Sequence, residues 1–296
     1  MKKIILRIVA VLVVAIIGVG GYVYYRVHNT TSQIYSWDKN KNTKSDDTTN
    51  AGKPVTYLLM GTDTGALGRS YKGRTDTMMV MVLNPKTRTT TMVSIPRDTK
   101  IEIDGVPVKI NAAYSYGSST SAMDAVEKLT DTKIDGYLLV NMGGLEKLVN
   151  SVGGVNVTSP LTFTYEGKSF AKGQTYTLSG SDALKFSRMR YDDPDGDYGR
   201  QRRQQLVISA IIAKVKDHPT QVLSSKFLDA VSENIRTDVS LSSVKNLALK
   251  YKDAAGSINM DQMRGKGKKI NGADFEVQPQ SEITRIHKVI TKAHGK

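Results

Sequence analysis

The chain contains no cysteine, which removes disulfide scaffolds, thiolate zinc sites, iron–sulfur clusters and cysteine nucleophiles together. Histidine is scarce: there are four, His28, His218, His287 and His294, and no two stand at metal-ligand or catalytic spacing. Neither a G-x-x-x-x-G-K-[ST] phosphate loop nor a G-x-S-x-G elbow occurs. Ser242-x-x-Lys245 has the S-x-x-K form, but S-D-N and K-T-G are missing and the stretch reads as helix. Any chemistry therefore falls to Asp, Glu, Arg, Lys and hydroxyl groups.

What is present is strongly basic. Of 296 residues, 42 are Lys or Arg and 28 are Asp or Glu, a net charge of +14, while 39% hydrophobic and 24% charged residues is an ordinary globular balance. The longest apolar run lies at the start. From Ile8 to Tyr25 no residue is charged, and about eighteen residues of helix reach roughly 27 Å, close to the hydrocarbon thickness of a bilayer. No small-x-small cleavage site follows, which favours an uncleaved anchor over a signal peptide. Lys2, Lys3 and Arg7 precede the run, so the positive-inside rule keeps the N-terminus cytoplasmic. The expected organisation is a cytoplasmic tail over 1–7, a single-pass transmembrane signal-anchor over 8–28, a polar linker over 29–53 and an extracellular domain over 54–296. A cysteine-free outer domain on such an anchor fits the cell membrane of a bacterium with one membrane, of the Gram-positive type.

Apolar runs at Val55 to Met60, Thr77 to Leu83, Thr89 to Ile95 and Tyr137 to Val140 read as strands. Helical spacing follows at Ser121 to Leu129, Leu145 to Val149, Tyr198 to Lys216, Phe227 to Asn234 and Ser240 to Tyr251, and Ser179-Gly-Ser-Asp182 has the form of a helix start. Thr162 to Phe170 reads as a hairpin turning at Glu166-Gly167. The mixture predicts an α/β fold, a three-layer α/β/α domain with a mixed central sheet.

Polar residues gather at the ends of the apolar runs. Asp63 lies in Gly61-Thr-Asp63-Thr-Gly after one strand, Asp76 in Arg74-Thr-Asp76-Thr before the next, and Arg97 in Ser94-Ile-Pro96-Arg97-Asp98 after the third. In neighbouring strands these would converge at a sheet end, where open α/β sheets place ligands. The segment Arg188 to Gln204 holds five Arg, four Asp and no Lys. Exclusive use of Arg suits planar, bidentate recognition of phosphate. Arg200 and Gln204 share a helix face while Arg203 points elsewhere. A salt-bridged surface loop is the plainer reading; a calcium loop fails, because Gln204 occupies the place of the bidentate Glu. Asp63 and Asp76 as hard oxygen ligands for Mg2+ (or Mn2+), with Arg for substrate phosphates, suit phosphoryl transfer.

The ordered segments G-T-D, R-T-D-T, S-I-P-R-D-T, K-I-N-A-A-Y-S-Y-G (Lys109 to Gly117), L-V-N-M-G-G-L (from Leu139), A-L-x-F-S-R-M-R and D-Y-G-R-Q-R-R-Q-Q resemble the LytR-CpsA-Psr family of membrane-anchored wall-polymer ligases, over a motif-bearing core of 54–216. The resemblance implies a phosphotransferase that moves an anionic glycopolymer, wall teichoic acid or capsule, from undecaprenyl pyrophosphate to peptidoglycan. It assigns the metal pair to Asp63 and Asp76, catalysis to Asp76 and Arg97, and pyrophosphate binding to Arg74, Arg97, Lys109, Arg188, Arg190, Asp197, Arg200 and Gln204. Phe186 stands where the family often has Tyr. For the general base, Asp76, Asp98 and Asp197 remain open. Partners so implied are the lipid-linked glycopolymer, peptidoglycan and the membrane, and no nucleic acid, since the anchor puts the basic domain away from the chromosome. A non-catalytic wall scaffold or regulator, or a polyprenyl-pyrophosphate hydrolase, is the alternative.

Overall fold

A computed structural model of the protein describes residues 45–62 and 73–295, together with Tyr25 and Asn29. The tail expected over 1–7, the span expected over 8–28 (Tyr25 apart) and Asp63 lie outside the described residues. Among the described residues no helix is long and apolar enough to cross a membrane. A short helix, α1 (Ser45–Asn50), falls inside the stretch read as a polar linker. Its Thr49 is wholly buried, with the hydroxyl 3.1 Å from Ser243 Oγ, so the folded unit takes in this end of the spacer.

Three antiparallel strands come next: β1 (Val55–Thr62), β2 (Thr75–Asn84) and β3 (Thr89–Ser94). A hairpin of β4 (Lys100–Ile103) and β5 (Val106–Lys109) leads into α2 (Ala112–Tyr116) and α3 (Ser119–Thr130). Strand β6 (Gly136–Asn141) runs parallel to β1, and Asn141 caps α4 (Met142–Ser151) by accepting from Gly144 N at 2.8 Å. A subdomain of short strands follows, β7 (Val155–Thr158), β8 (Phe163–Tyr165), β9 (Lys168–Phe170) and β10 (Thr175–Leu178), before α5 (Gly180–Arg188), whose N-cap is Ser179. The long α6 (Asp197–Asp217), α7 (Ser225–Asn234), β11 (Ile235–Thr237), α8 (Leu241–Lys250), β12 (Ser257–Gln262), the hairpin β13 (Lys266–Ile270) with β14 (Ala273–Val277), and α9 (Gln280–Ala293) complete it.

The central sheet has the order β11-β6-β1-β2-β3-β12, with β6 parallel to β1 and β12 parallel to β3. Layers on both sides make the expected α/β/α sandwich. Residues of one parity, Leu58 and Met60 on β1, Met78 and Val80 on β2, bury against Ala122 and Val126 of α3 and Ile286 and Ile290 of α9. The other parity serves two purposes. Val55 and Tyr57 bury against Val239 and Tyr251, beside α8. Farther along the same face Leu59 lines a cavity, roofed by α4, α5 and α6. A second core, with Phe163, Phe170 and Phe186 in mutual ring contact, fixes α5 and α6 to the small strands.

Candidate active site

The polar end of the cavity is assembled where β1 and β3 end and β2 begins. Ile95 N donates to Met78 O at 2.9 Å, which carries the β2–β3 pairing one step past β3, and Pro96 then turns Arg97 toward Asp76. Arg97 Nη1 lies 2.7 Å from Asp76 Oδ1. The β4–β5 hairpin returns Lys109 to the same loop, its Nζ 2.7 Å from Asp98 Oδ1, while Arg97 Nε stands 3.8 Å from Asp98 Oδ2.

The first turn of α6 arrives from the opposite side. Arg200 Nη2 is 2.7 Å from Asp197 Oδ1 and donates to Asp76 O at 3.3 Å, and Arg190 Nε is 3.6 Å from Asp197 Oδ1. Asp76 thus meets Arg97 through its carboxylate and Arg200 through its carbonyl. Arg188 and Gln204 line the cavity beside them, Arg188 within 3.9 Å of Glu166 Oε1. Of the residues named from sequence, Asp76, Arg97, Lys109, Arg188, Arg190, Asp197, Arg200 and Gln204 come together. Arg74 is exposed, and among the described residues no ion pair joins it to the group. Phe186 is fully buried, its ring against Phe163 and Phe170.

The electrostatics favour an anion. Burial disfavours the Arg200 guanidinium and lowers its pKa; Asp197 opposes this, while Arg97 and Arg190 reinforce it. At Arg97 burial acts the same way, but Asp76, with smaller help from Asp197 and Asp98, outweighs it and the net shift is upward. Both remain cations. Among the described residues Arg97 Nε, Arg200 Nε and Gln204 Oε1 are buried with no hydrogen-bond partner, an arrangement costing about 1–3 kcal/mol per group unless a ligand or water meets it. Beyond this polar end the cavity, about 470 Å3, is walled by Leu59, Leu138, Leu145, Leu148, Ile208 and Ile211. One ligand with an anionic head and an apolar tail matches both parts.

Arg203 has a different task. Its side chain is 1% exposed; Nε donates to Phe186 O at 2.9 Å, and the other nitrogens meet Met189 O and the Asp193 carboxylate. It locks the end of α5 to α6 and so fixes where Arg188 and Arg190 sit. Gly199 belongs to this lock, because a Cβ there would come within 1.9 Å of Asp193 Oδ2.

A family model described as the LytR_cpsA_psr family matches residues 21–292. The chain belongs to the LytR_cpsA_psr family. The polyisoprenyl-teichoic acid–peptidoglycan teichoic acid transferase TagU of Enterococcus faecalis is 40% identical over 285 residues, covering 96% of this chain and 93% of its own length. The crystal structure of protein gbs0355 from Streptococcus agalactiae matches with a TM-score of 0.76 at 35% identity, over 86% of this chain and 92% of that one. A structure described as TagT bound to LIIa-WTA matches with a TM-score of 0.69 at 27% identity, over 86% and 94%.

Within this LytR_cpsA_psr chain, sequence reading missed the cavity walls and the exposed Tyr191 at the rim, whose ring centre lies 5.7 Å from the Arg190 guanidinium. Ile208, Ile211 and Ile212 have the spacing of any core-facing helix, so their pattern carries no sign of a cavity. Tyr191, an aromatic between two arginines and an acidic run, was the one available signal.

Proposed function

We propose that this protein transfers an anionic glycopolymer from a polyprenyl pyrophosphate to peptidoglycan. The carrying observation is the cavity itself, apolar along its length and ending in Arg97, Arg190, Arg200 and Gln204. Membership of the LytR_cpsA_psr family, and relatives named as teichoic acid transferases, support the same reading.

In the reaction so read, the isoprenoid tail occupies the apolar length and its pyrophosphate meets the arginines. An acceptor sugar hydroxyl attacks the phosphorus that bears the glycan; a new P–O bond forms, the P–O–P bridge breaks, and polyprenyl phosphate leaves. Arg97 and Arg200 stabilise the charge that grows on the leaving phosphate, in a setting where burial strengthens each contact. The hydroxyl proton passes to a carboxylate at the mouth. Asp98 is tied to Lys109 and Asp197 to Arg200, whereas Arg97 occupies only Oδ1 of Asp76. Among the described residues that leaves Asp76 Oδ2 as a hard oxygen donor at the cavity wall, which fits Mg2+. Together with Asp63, Asp76 would hold the ion, which when bound neutralises pyrophosphate charge. Hydrolysis of the donor is the same step with water as acceptor. The run over 8–28 would hold the domain beside its lipid-borne donor, outside the cell.

The test is single-turnover transfer from a polyprenyl-pyrophosphate-linked glycan to a peptidoglycan fragment, with full-length protein and added Mg2+ or Mn2+. Glycan appearing on the fragment with release of polyprenyl phosphate is expected. Binding of the donor without any transfer or hydrolysis would instead favour a non-catalytic wall protein.

A further inference from the structure

The last forty or so residues follow every motif of the family pattern, yet they reach both sides of the site through a cluster centred on Glu276. Glu276 on β14 donates its backbone N–H to Asp98 O at 2.9 Å, next to Arg97. Its Oε1 accepts from Tyr198 Oη at 2.5 Å, two residues before Arg200 on α6, and from Gly265 N at 2.9 Å. Gln278 Nε2 donates to the same oxygen at 3.0 Å and to Thr99 Oγ1 at 3.2 Å. Gln262 Nε2 donates to Tyr198 O at 2.7 Å, and the Arg264 guanidinium lies 4.7 Å from the centre of the Tyr198 ring.

The cluster is tightly built. A Cβ on Gly265 would come within 2.7 Å of Gln278 Nε2 and 2.8 Å of Glu276 Cγ, so only glycine lets the backbone N–H approach the carboxylate. Burial first, then Glu276, raises the Tyr198 pKa, which keeps its hydroxyl a donor. The loop carrying Arg97 and the helix turn carrying Arg200 come from distant parts of the chain. One residue bonded to both, by its backbone N–H to the Arg97 loop and by its carboxylate to α6, fixes their separation, and a bidentate cradle for a pyrophosphate depends on that separation.

We propose that Glu276 and Tyr198 form a positioning pair, through which the C-terminal hairpin sets the spacing of Arg97 and Arg200 and thereby the strength of pyrophosphate binding. The ligand class rests on the proposed function; the pair itself rests on the contacts above. Neither residue lines the cavity, so their effect runs through the arginines.

Full-length protein carrying Glu276→Ala, Glu276→Gln, Tyr198→Phe or Arg285→Ala separates positioning from support. Arg285 bonds Asp261, Glu282 and the Gln262 carbonyl in the same C-terminal region at 2.8 Å and, among the described residues, neither the Arg97 loop, α6 nor Glu276, so it reports plain loss of support from that region. Two readouts are taken per folded molecule: initial-rate transfer over a range of donor and acceptor concentrations, and calorimetric binding of farnesyl pyrophosphate. Glu276→Ala should raise the donor KM and the farnesyl pyrophosphate Kd at least about fivefold, with the acceptor KM within about twofold. Glu276→Gln, which keeps an accepting Oε1, should recover most of the loss, and adding Tyr198→Phe to Glu276→Ala should add little, since both break one bond. Arg285→Ala should lower the Tm and leave both readouts unchanged. A Glu276→Ala protein no weaker than Arg285→Ala, or one whose donor and acceptor KM rise together, overturns the proposal. If the parent transfers nothing, the functional reading falls and the binding arm alone decides the pair. A parent that neither transfers nor binds farnesyl pyrophosphate overturns both.

Discussion

On one face of the central sheet Leu58, Met60, Met78 and Val80 are at most 1% exposed beneath α3 and α9; on the other, Leu59, Met81 and Leu138 border a cavity of about 470 Å3. The strands alternate as strictly on both faces, and the residues are as apolar. Filling is what differs. Protein interiors normally pack without voids of this size, so an apolar face left unfilled beneath three helices marks a place kept for a ligand. The same contrast recurs within one turn of α6. Arg203 is closed in by protein acceptors, whereas Arg200, three residues earlier, keeps a buried Nε with no partner among the described residues.

The largest effect should separate those two arginines. Arg203→Ala strips the Asp193 carboxylate of its counter-charge and takes the Arg203 bonds from two backbone carbonyls, and breaking a buried pair in this way costs about 3–5 kcal/mol of stability. Chemical denaturation of the two variants should show that loss for Arg203→Ala and no more than about 1 kcal/mol for Arg200→Ala, where relief of the desolvated cation offsets the lost bonds. Similar losses in both would mean that Arg200 is as structural as Arg203.

The two sheet faces should differ next. Leu58→Ala opens a void in a filled core and should cost about 2–5 kcal/mol, whereas Leu59→Ala only widens a space already there and should cost less than about 1.5 kcal/mol. Donor affinity should move the other way, falling for Leu59→Ala and holding for Leu58→Ala per folded molecule. A reversed pattern would mean that the cavity is closed in solution.

Much of this was legible from the chain. The strands of β1 to β3, the cap at Ser179, the turn at Glu166-Gly167 and the shared face of Arg200 and Gln204 follow from alternation, capping chemistry and helical spacing. Legibility ends where the physics is non-local. Periodicity shows that Ile208 and Ile211 avoid water, but nothing in it tells a packed face from a cavity wall. β13 reads Lys-Gly-Lys-Lys-Ile, a poor strand by composition, and forms because it pairs with β14 across Asn271-Gly272, both at positive φ. That Asn-Gly pair was the signal for the hairpin; its contact with α6 had none, because Glu276 and Tyr198 are 78 residues apart.

The smallest difference in free energy is also the sharpest test of the arginine end. Lys can replace the charge of Arg200 but not its planar fork, so Arg200→Lys should lower single-turnover transfer by at least roughly tenfold, about 1.4 kcal/mol, if two bonds to one phosphate are lost in geometry. Lys266, Lys268 and Lys269 on β13 are exposed and, among the described residues, in no ion pair. Changing all three to Gln removes three charges where Arg200→Lys removes none. At moderate salt an exposed charge is screened within about 8–10 Å, so the triple change should alter transfer by less than about twofold, and that small change should vanish as salt is raised. The Arg200→Lys loss should persist across the same salt series, because its cause is geometric. Equal losses for the two proteins, both fading with salt, would show that bulk positive charge rather than an arginine-built cradle holds the donor.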